Sequence, residues 1–147
     1  MREQVILLVE DNPDDEFLML RALAKNDVTG GVVVARDGVE ALDYLFASGP
    51  YAGRSADGMP SLILLDLKLP RLNGLEVLQR LRSDERTRLL PVVILTSSNE
   101  RQDVLDGYGL GANSYVRKPV DFKEFVGTVE QLKRYWLGLN ESPTQRA

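Results

Sequence analysis

Short apolar runs and amphipathic stretches alternate five times along the chain. The runs cover residues 5–9, 32–35, 61–66, 92–96 and 114–116 and are rich in valine, leucine and isoleucine. Runs of this length, bounded by turn residues, are typical of buried strands. The alternation of strand and helix predicts an α/β fold in which helices cover both faces of a parallel sheet through right-handed crossovers.

The amphipathic stretches predict the helices and their buried faces. The first helix is expected to begin after Asn12, a favourable N-cap, with Pro13 at its first position. Its apolar stripe is predicted to consist of Phe17, Leu20, Leu23 and Ala24. For the second helix the corresponding positions are Val39, Leu42, Leu45 and Phe46. For the third helix they are Leu75, Leu78 and Leu81.

The last two helices differ in how strongly the pattern predicts them. The fourth has only Val104, Leu105 and Tyr108 as apolar positions, with Asn99 as its expected cap. The glycines of residues 107–111 superficially resemble a dinucleotide-binding loop. They neither follow a predicted strand nor open a predicted helix, so we expect them to lie in an ordinary loop. The fifth helix is expected over residues 121–139.

Three polar features are expected to have local roles. The glycine-rich stretch 48–60 exceeds the usual connection of about 4–6 residues, and is either an ordered functional loop or a mobile insertion. The acids of residues 14–16 are explained by favourable interaction with the dipole of the first helix. Asp37 and Asp57 are interpreted as turn residues.

Composition narrows the classes of function. The 147 residues suit one domain over residues 1–139, with 140–147 as a short tail and no room for a further output domain. A net charge of −4 does not favour nucleic-acid binding. We expect no membrane span and no signal peptide, and the absence of cysteine fits the cytoplasm. Without histidine or cysteine, a bound divalent ion must use oxygen ligands, which points to Mg²⁺, Mn²⁺ or Ca²⁺.

Chemically active side chains follow four of the predicted strands. Glu10 and Asp11 end the first, Asp66 the third, Thr96 the fourth, and Lys118 follows the fifth. The carboxyl ends of parallel strands meet at one edge of the sheet, which is where open α/β sheets bind ligands. Clustered carboxylates repel each other, and a divalent cation such as Mg²⁺ relieves that repulsion.

This combination suits phosphoryl transfer. An ionised Asp66 is a nucleophile that needs no general base, and attack on a phosphoryl group gives an aspartyl phosphate. Mg²⁺, the flexible positive charge of Lys118 and the hydroxyl of Thr96 can neutralise and orient the phosphoryl oxygens.

With these residues the chain resembles the receiver domain of two-component response regulators. The resemblance rests on Glu10-Asp11, on Asp66 with Leu69-Pro70 and Gly74, on Thr96, and on Gly111-Ala112, Tyr115 and Lys118-Pro119. It implies a flavodoxin-like, doubly wound five-stranded sheet with strand order 2-1-3-4-5. It also implies that the chain acts as a phosphorylated switch and not as an enzyme that turns over a metabolite.

The resemblance assigns the metal and phosphoryl sites. It implies that Asp66 is the phosphoacceptor, that Asp11 binds Mg²⁺ directly and that Glu10 binds it mainly through water. It implies that Lys68 offers its main-chain carbonyl to the ion and that Lys118 holds the phosphoryl group.

The same resemblance assigns the switch. Thr96 is expected to reorient toward the phosphoryl group, and Tyr115 to rotate inward after it. This motion changes the face formed by helix four, strand five and helix five. Ser97, a small residue, leaves access to the phosphoryl group.

The expected partners are a histidine kinase or a phosphotransfer protein. The 48–60 stretch and the long fifth helix are similar to stand-alone regulators that partner phytochrome-type kinases. Leu132, Tyr135, Leu137 and Leu139 widen the apolar face of this helix, which predicts a homodimer through the helix four/strand five/helix five face and the C-terminal arm. The alternative is a longer helix folded over its own core.

Three other functions remain open at this point. A receiver fold could serve as a phosphorylation-independent scaffold. A dehalogenase-like phosphatase also forms an aspartyl phosphate, but it places a second aspartate two positions after the nucleophile, where this chain has Lys68. A flavodoxin-like binding module needs a phosphate-cradling first loop, and the acids of residues 14–15 would repel phosphate there.

Overall fold

The computed structural model describes residues 4–28, 30–55 and 58–143, so the predicted turn at Asp57 and the end of the tail lie outside the described residues. The strands are β1 (Ile6–Val9), β2 (Val32–Ala35), β3 (Leu62–Leu65), β4 (Val92–Thr96) and β5 (Ser114–Arg117). They form one parallel sheet with the order β2-β1-β3-β4-β5. The predicted strands and the predicted strand order are confirmed.

Helices connect the strands and cover the sheet. They are α1 (Pro13–Lys25), α2 (Gly38–Leu45), α3 (Gly74–Ser83), α4 (Arg101–Gly109) and α5 (Phe122–Leu132). A 3-10 turn covers Gly49–Tyr51, and α5 continues as a π-helical segment over Lys133–Leu139. The expected extent of the fifth helix, to residue 139, is therefore confirmed. Within the described ranges no helix is long and apolar enough to span a bilayer.

The core has two layers, one on each face of the sheet. Alternate residues of β1 show the division, because Leu7 and Val9 pack with α2 and α3 whereas Ile6 and Leu8 pack with α1 and α5. The strands β1, β3 and β4 are buried along their whole length. Burial on both faces explains why these strands are continuous apolar runs without polar alternation.

The buried face of α1 differs from the predicted stripe. The helix buries Met19, Ala22 and Leu23, while Phe17 is 63% exposed and Ala24 is also exposed. Apolar residues occupy nearly every position from 17 to 24, so their spacing does not select one face. Docking on β1, β3 and α5 decides the rotation of this helix about its axis.

The face of α2 and the role of Asp37 also differ from the prediction. This helix buries Ala41, Tyr44 and Leu45, and the predicted Phe46 is only partly buried. Asp37 caps the helix, because its carboxylate accepts a hydrogen bond of 2.7 Å from the amide of Glu40. A capping aspartate stabilises a helix by satisfying an amide that has no partner within the helix.

Helix α4 is longer than the glycine pattern indicated. Gly107 and Gly109 lie inside it, and the left-handed backbone of Gly111 (φ +103°) follows its end. The predicted cap at Asn99 is wrong, since the N-cap residue is Glu100 and its side chain makes no capping hydrogen bond. Gly107 packs so closely that a Cβ there would lie 2.7 Å from Cδ1 of Ile94.

Arg54 anchors the described part of the 48–60 stretch. Its guanidinium donates to the carbonyls of Tyr44 (2.7 Å) and Gly58 (2.9 Å), and it lies 4.3 Å from the centre of the Tyr44 ring. The ring of Tyr51 packs edge-on against Tyr44. These contacts support the ordered-loop alternative for this part of the stretch.

Candidate functional site

The strand topology brings the predicted acids and Lys118 together. Backbone hydrogen bonds continue the sheet one residue past the strands, from Asp66 to Val9 (3.1 Å) and from Lys118 to Thr96 (2.7 Å). Because β1, β3, β4 and β5 are neighbours with parallel directions, their carboxyl ends open on the same edge.

One ammonium group is shared by three carboxylates. Nζ of Lys118 lies 2.5 Å from Oε1 of Glu10, 3.0 Å from Oδ2 of Asp15 and 3.0 Å from Oδ2 of Asp66. A lysine ammonium has three N–H donors, and these contacts use all of them. The side chains of Lys118, Glu10 and Asp66 are nearly buried, whereas that of Asp15 is 39% exposed.

Burial and charge shift the proton affinities of this cluster. Burial raises the pKa of Glu10 to about 7, although Lys118 opposes the shift. Burial raises the pKa of Asp66, whereas the positive charge of Lys118 and hydrogen bonds to the carboxylate together lower it, and the pKa lies below its ordinary value. Burial would lower the pKa of Lys118, but Glu10 and Asp66 raise it above its ordinary value. At neutral pH, Asp66 is therefore an ionised carboxylate beside a charged lysine.

The loop after β3 holds Asp66 in place. Its Oδ1 accepts a hydrogen bond of 2.7 Å from the amide of Leu67 and a longer one of 3.4 Å from Lys68. Gly74 begins α3 directly against this loop, and a Cβ on it would lie 2.2 Å from the main-chain oxygen of Asp66. Glycine is needed at this position because no side chain fits between the two segments.

Thr96 has an unsatisfied hydroxyl at the end of β4. The residue is fully buried, and its Oγ1 has no hydrogen-bond partner among the residues that the structure describes. An unpaired buried hydroxyl is costly, so such a group indicates a place where a further polar group can be accepted. Ser97 beside it is exposed.

Tyr115 on β5 lies between the core and the loop after β4. Its ring packs against the core cluster under α4, and its hydroxyl donates to the carbonyl of Ser98 (2.8 Å). Gly107 of α4 lies next to this ring, because a Cβ at that position would be in van der Waals contact with it, 3.4 Å from Cδ2. The ring therefore links the loop after Thr96 to α4.

Three carboxylates can meet at a single ion. Oxygen atoms of Glu10, Asp15 and Asp66 lie within 4.8 Å of one another. Carboxylate oxygens suit Mg²⁺, Mn²⁺ and Ca²⁺, so these residues fit a divalent metal. Asp11 is exposed and outside this group. The metal-binding roles of Asp11 and of the Lys68 carbonyl stay predictions.

Asp15 is the site residue that sequence reasoning missed. Its place in the first helical turn indicates only an interaction with the helix dipole, yet it contacts a lysine 103 residues away. One sequence signal could have found it. Asn12 caps a helix that starts directly at the carboxyl end of β1, so residues of its first turn lie beside the pocket.

Comparison with models of protein families identifies the family of this chain. Residues 6–130 match the response regulator receiver domain. The chain belongs to this family. A receiver domain accepts a phosphoryl group in signalling, has a histidine kinase or a phosphotransfer protein as its partner, and binds a divalent metal at an acidic pocket.

Relatives of this receiver domain cover nearly its whole length. The probable methanogenesis regulatory protein FilR2 of Methanothrix harundinacea is 45% identical over 139 residues, which is 95% of this chain and 87% of FilR2. The phosphorylated cyanobacterial phytochrome response regulator RcpA has 39% identity and a TM-score of 0.89, covering 97% of this chain and 99% of RcpA. The Mn²⁺-bound form of response regulator Rcp1 has 34% identity and a TM-score of 0.86, covering 96% and 99%. The predicted similarity to phytochrome-associated regulators is confirmed.

Proposed function

We propose that Asp66 is the phosphoacceptor of a receiver that acts as a phosphorylation switch. The observation that supports it best is the contact between the Asp66 carboxylate and the Lys118 ammonium, 3.0 Å apart at the end of β3. This contact keeps the carboxylate ionised in a nearly buried pocket. A poorly solvated carboxylate that retains its charge is an effective nucleophile.

The proposed reaction is an in-line displacement. A carboxylate oxygen of Asp66 forms a bond to the phosphorus of a phosphohistidine, the phosphorus–nitrogen bond breaks, and the imidazole leaves and takes up a proton. Lys118 redirects at least one of its three N–H donors to a phosphoryl oxygen. The unpaired hydroxyl of Thr96 donates to another, and the exposed Ser97 leaves the approach open. Slow hydrolysis of the acyl phosphate, without other turnover, resets the switch.

The proposed ion is Mg²⁺, held by Glu10, Asp11, Asp66 and the main-chain carbonyl of Lys68. When bound, it neutralises charge on the transferring phosphoryl group. Support comes from the cluster of carboxylate oxygens and from the Mn²⁺-bound form of Rcp1. Mg²⁺ also suits a pocket that supplies only a few carboxylates, because it retains several waters.

The proposed output is a change at the face made of α4, β5 and α5. The hydroxyl of Tyr115 donates a hydrogen bond to the loop after Thr96, and its ring packs beneath α4. Movement of the Thr96 hydroxyl toward a phosphoryl group therefore changes the packing between Tyr115 and this helix. The phosphorylated state then shifts a two-state equilibrium toward the active surface.

The proposed donor is a phytochrome-type histidine kinase or its phosphotransfer protein, and the proposed compartment is the cytoplasm. The similarity to RcpA supports this choice of donor. We also propose a homodimer through the α4/β5/α5 face and the C-terminal arm. Exposed apolar side chains on α4 and on the C-terminal segment support it, and they are Leu105, Tyr108, Tyr135 and Leu139.

Intact-mass measurement after incubation with acetyl phosphate tests the central proposal. We expect a gain of one phosphoryl group that requires Mg²⁺ and is absent in Asp66→Asn. Asp14→Asn is the matched control, because it changes the same chemical group at an exposed position outside the carboxylate cluster. If neither acetyl phosphate nor a phosphohistidine donor modifies the folded protein, the scaffold alternative replaces the switch.

A further inference from the structure

The first turn of α1 carries three acids in three different environments. Glu16 pairs with Arg36 (3.0 Å), and Asp14 is exposed. Asp15 alone reaches the pocket, where its carboxylate contacts Lys118 and lies within 4.8 Å of the carboxylate oxygens of Glu10 and Asp66. Interaction with the helix dipole would apply to all three acids and does not explain this difference.

We propose that Asp15 is an additional positioning residue of the receiver pocket, which strengthens divalent-metal binding and holds the Lys118 ammonium before phosphorylation. The inference rests on the proposed metal pocket and extends it by one residue of this chain. Asp15 is neither at a strand end nor part of the acid pair Glu10-Asp11.

The charges of the cluster favour a cation. With all groups ionised, the three carboxylates exceed the single ammonium by two negative charges, which is the charge that a divalent ion supplies. Independent support for an added group comes from Thr96, whose buried hydroxyl is without a partner among the described residues. Removal of one carboxylate charge leaves less to attract the ion.

The backbone around Asp15 fixes its approach to the pocket. Its amide donates to Oδ1 of Asn12 (3.1 Å), which holds the first turn of the helix. The capping bond uses the backbone of Asp15 and not its side chain, so an amide substitution leaves the cap intact. The exposure of the Asp15 side chain, 39% against 4% for Glu10, makes its bond to Lys118 the easiest one for water to replace. Lys118 can therefore leave Asp15 for a phosphoryl oxygen.

Mn²⁺ titration without any phosphodonor tests the inference. Free Mn²⁺ is measured by electron paramagnetic resonance for the native protein, Asp15→Asn, Asp15→Glu and Asp14→Asn. We expect the Kd of Asp15→Asn to rise roughly tenfold, as for the loss of one carboxylate charge a few ångströms from a divalent ion. Asp15→Glu restores the charge and should recover most of the affinity. Asp14→Asn should change the Kd less than about twofold, because an exposed charge is well screened.

The outcomes separate this inference from the proposed function. If the native protein binds Mn²⁺ and Asp15→Asn binds it equally well, the role of Asp15 is refuted while the pocket stands. An equal loss in Asp14→Asn and Asp15→Asn also refutes it, since the effect is then one of general charge. If the native protein itself binds no Mn²⁺, the proposed metal pocket is refuted together with the inference. Thermal unfolding of each variant without metal verifies that the fold is retained.

Discussion

At the scale of single residues, the positive charge of Lys118 and the negative charges of the surrounding carboxylates stabilise one another in the pocket. Removal of Lys118 leaves the nearly buried carboxylates of Glu10 and Asp66 without a counterion, which costs more than an intact pair contributes. Two effects oppose each other at Glu10: burial raises the pKa of its carboxyl group, and the neighbouring lysine lowers it. The effect of burial is the larger. The pKa of Asp66 lies below its ordinary value, so this carboxylate stays ionised beside the lysine.

The raised pKa of Glu10 predicts a pH-dependent stability. Its folded-state pKa of about 7 lies above the ordinary value of 4.5, so the folded state binds this proton more tightly than the unfolded state. The free energy of unfolding should therefore fall as pH rises from about 4.5 to about 7, because the unfolded state releases this proton at a lower pH than the folded state. The lowered pKa of Asp66 changes the stability only at pH values below this interval. The raised pKa of Lys118 changes it only at pH values above the interval.

Urea unfolding between about pH 5 and 8, in the presence of a chelator, measures this effect. Glu10→Gln should make the profile nearly flat, because the titrating group is then absent. A native profile without a fall in stability, or an unchanged slope in Glu10→Gln, contradicts the assignment.

Gly74 is predicted to tolerate no side chain. Gly74→Ala should destabilise the protein by about 1–3 kcal/mol, since its Cβ would overlap the backbone of Asp66, which is rigid. Gly127→Ala is the control, because this glycine lies inside α5 and a Cβ on it would point into open space. That change should stabilise the helix by about 0.5–1 kcal/mol. Thermal unfolding compares them, and equal stability of Gly74→Ala and the native protein would disprove the steric argument.

At the scale of elements, α3 and α4 contrast in how they begin. Helix α3 has a capping box, in which Asn73 and Glu76 satisfy each other's amides. Helix α4 begins at Arg101, its N-cap residue Glu100 provides no side-chain cap, and it contains Gly107 and Gly109. Missing caps and internal glycines lower helix stability, so α4 should open more readily than α3. A helix that changes its position in a switch is expected among the less stable elements of a fold.

The two glycines of α4 provide a matched test. Gly109→Ala should stabilise the protein by about 0.5–1 kcal/mol and slow amide hydrogen exchange in α4, because the position faces open space. Gly107→Ala has the same intrinsic gain, but its Cβ would lie 2.7 Å from Cδ1 of Ile94, so the gain should be cancelled or reversed. Equal stabilisation by both changes would show that the side chain of Ile94 moves aside readily and that position 107 is not sterically restricted.

At the scale of the whole molecule, the C-terminal helix serves its own core and also leaves apolar surface exposed. Leu132, Trp136 and Leu137 pack against the core layer of α1 and α5, which accounts for part of the apolar excess in the sequence. Tyr135 and Leu139 remain 49% and 76% exposed. The described helix therefore supports both an intramolecular role and the proposed interface, with different residues for each.

Light scattering over a concentration series tests the dimer. We expect a dimer of the native protein, and weaker association by roughly tenfold or more when Tyr135→Ser and Leu139→Ser are combined, because exposed apolar anchors dominate such interfaces. Leu89→Ser removes a comparably exposed leucine (62%) just before β4 and should leave association unchanged. A native protein that is monomeric at high micromolar concentration contradicts the proposal.

The amino-acid sequence by itself determined the strands, their order through the family resemblance, and most of the chemical groups at the sheet edge. This was possible because strands buried on both faces must be continuous apolar runs, and the residues that end them are then placed by topology. Glu10, Asp66 and Lys118 were found in this way, and the structure brings them into contact.

Only the tertiary structure decided which faces the helices bury and which further side chains enter the pocket. The spacing of apolar residues could not choose between Phe17 and Met19, because α1 is apolar on several sides until it docks. The Asn12 cap places the first turn of α1 beside the pocket, but only the tertiary structure shows that Asp15, and not Asp14 or Glu16, contacts Lys118, 103 positions away. Gly107 lies inside α4 despite the low helix propensity of glycine, and the structure shows Ile94 so close that a Cβ at this position would lie 2.7 Å from its Cδ1.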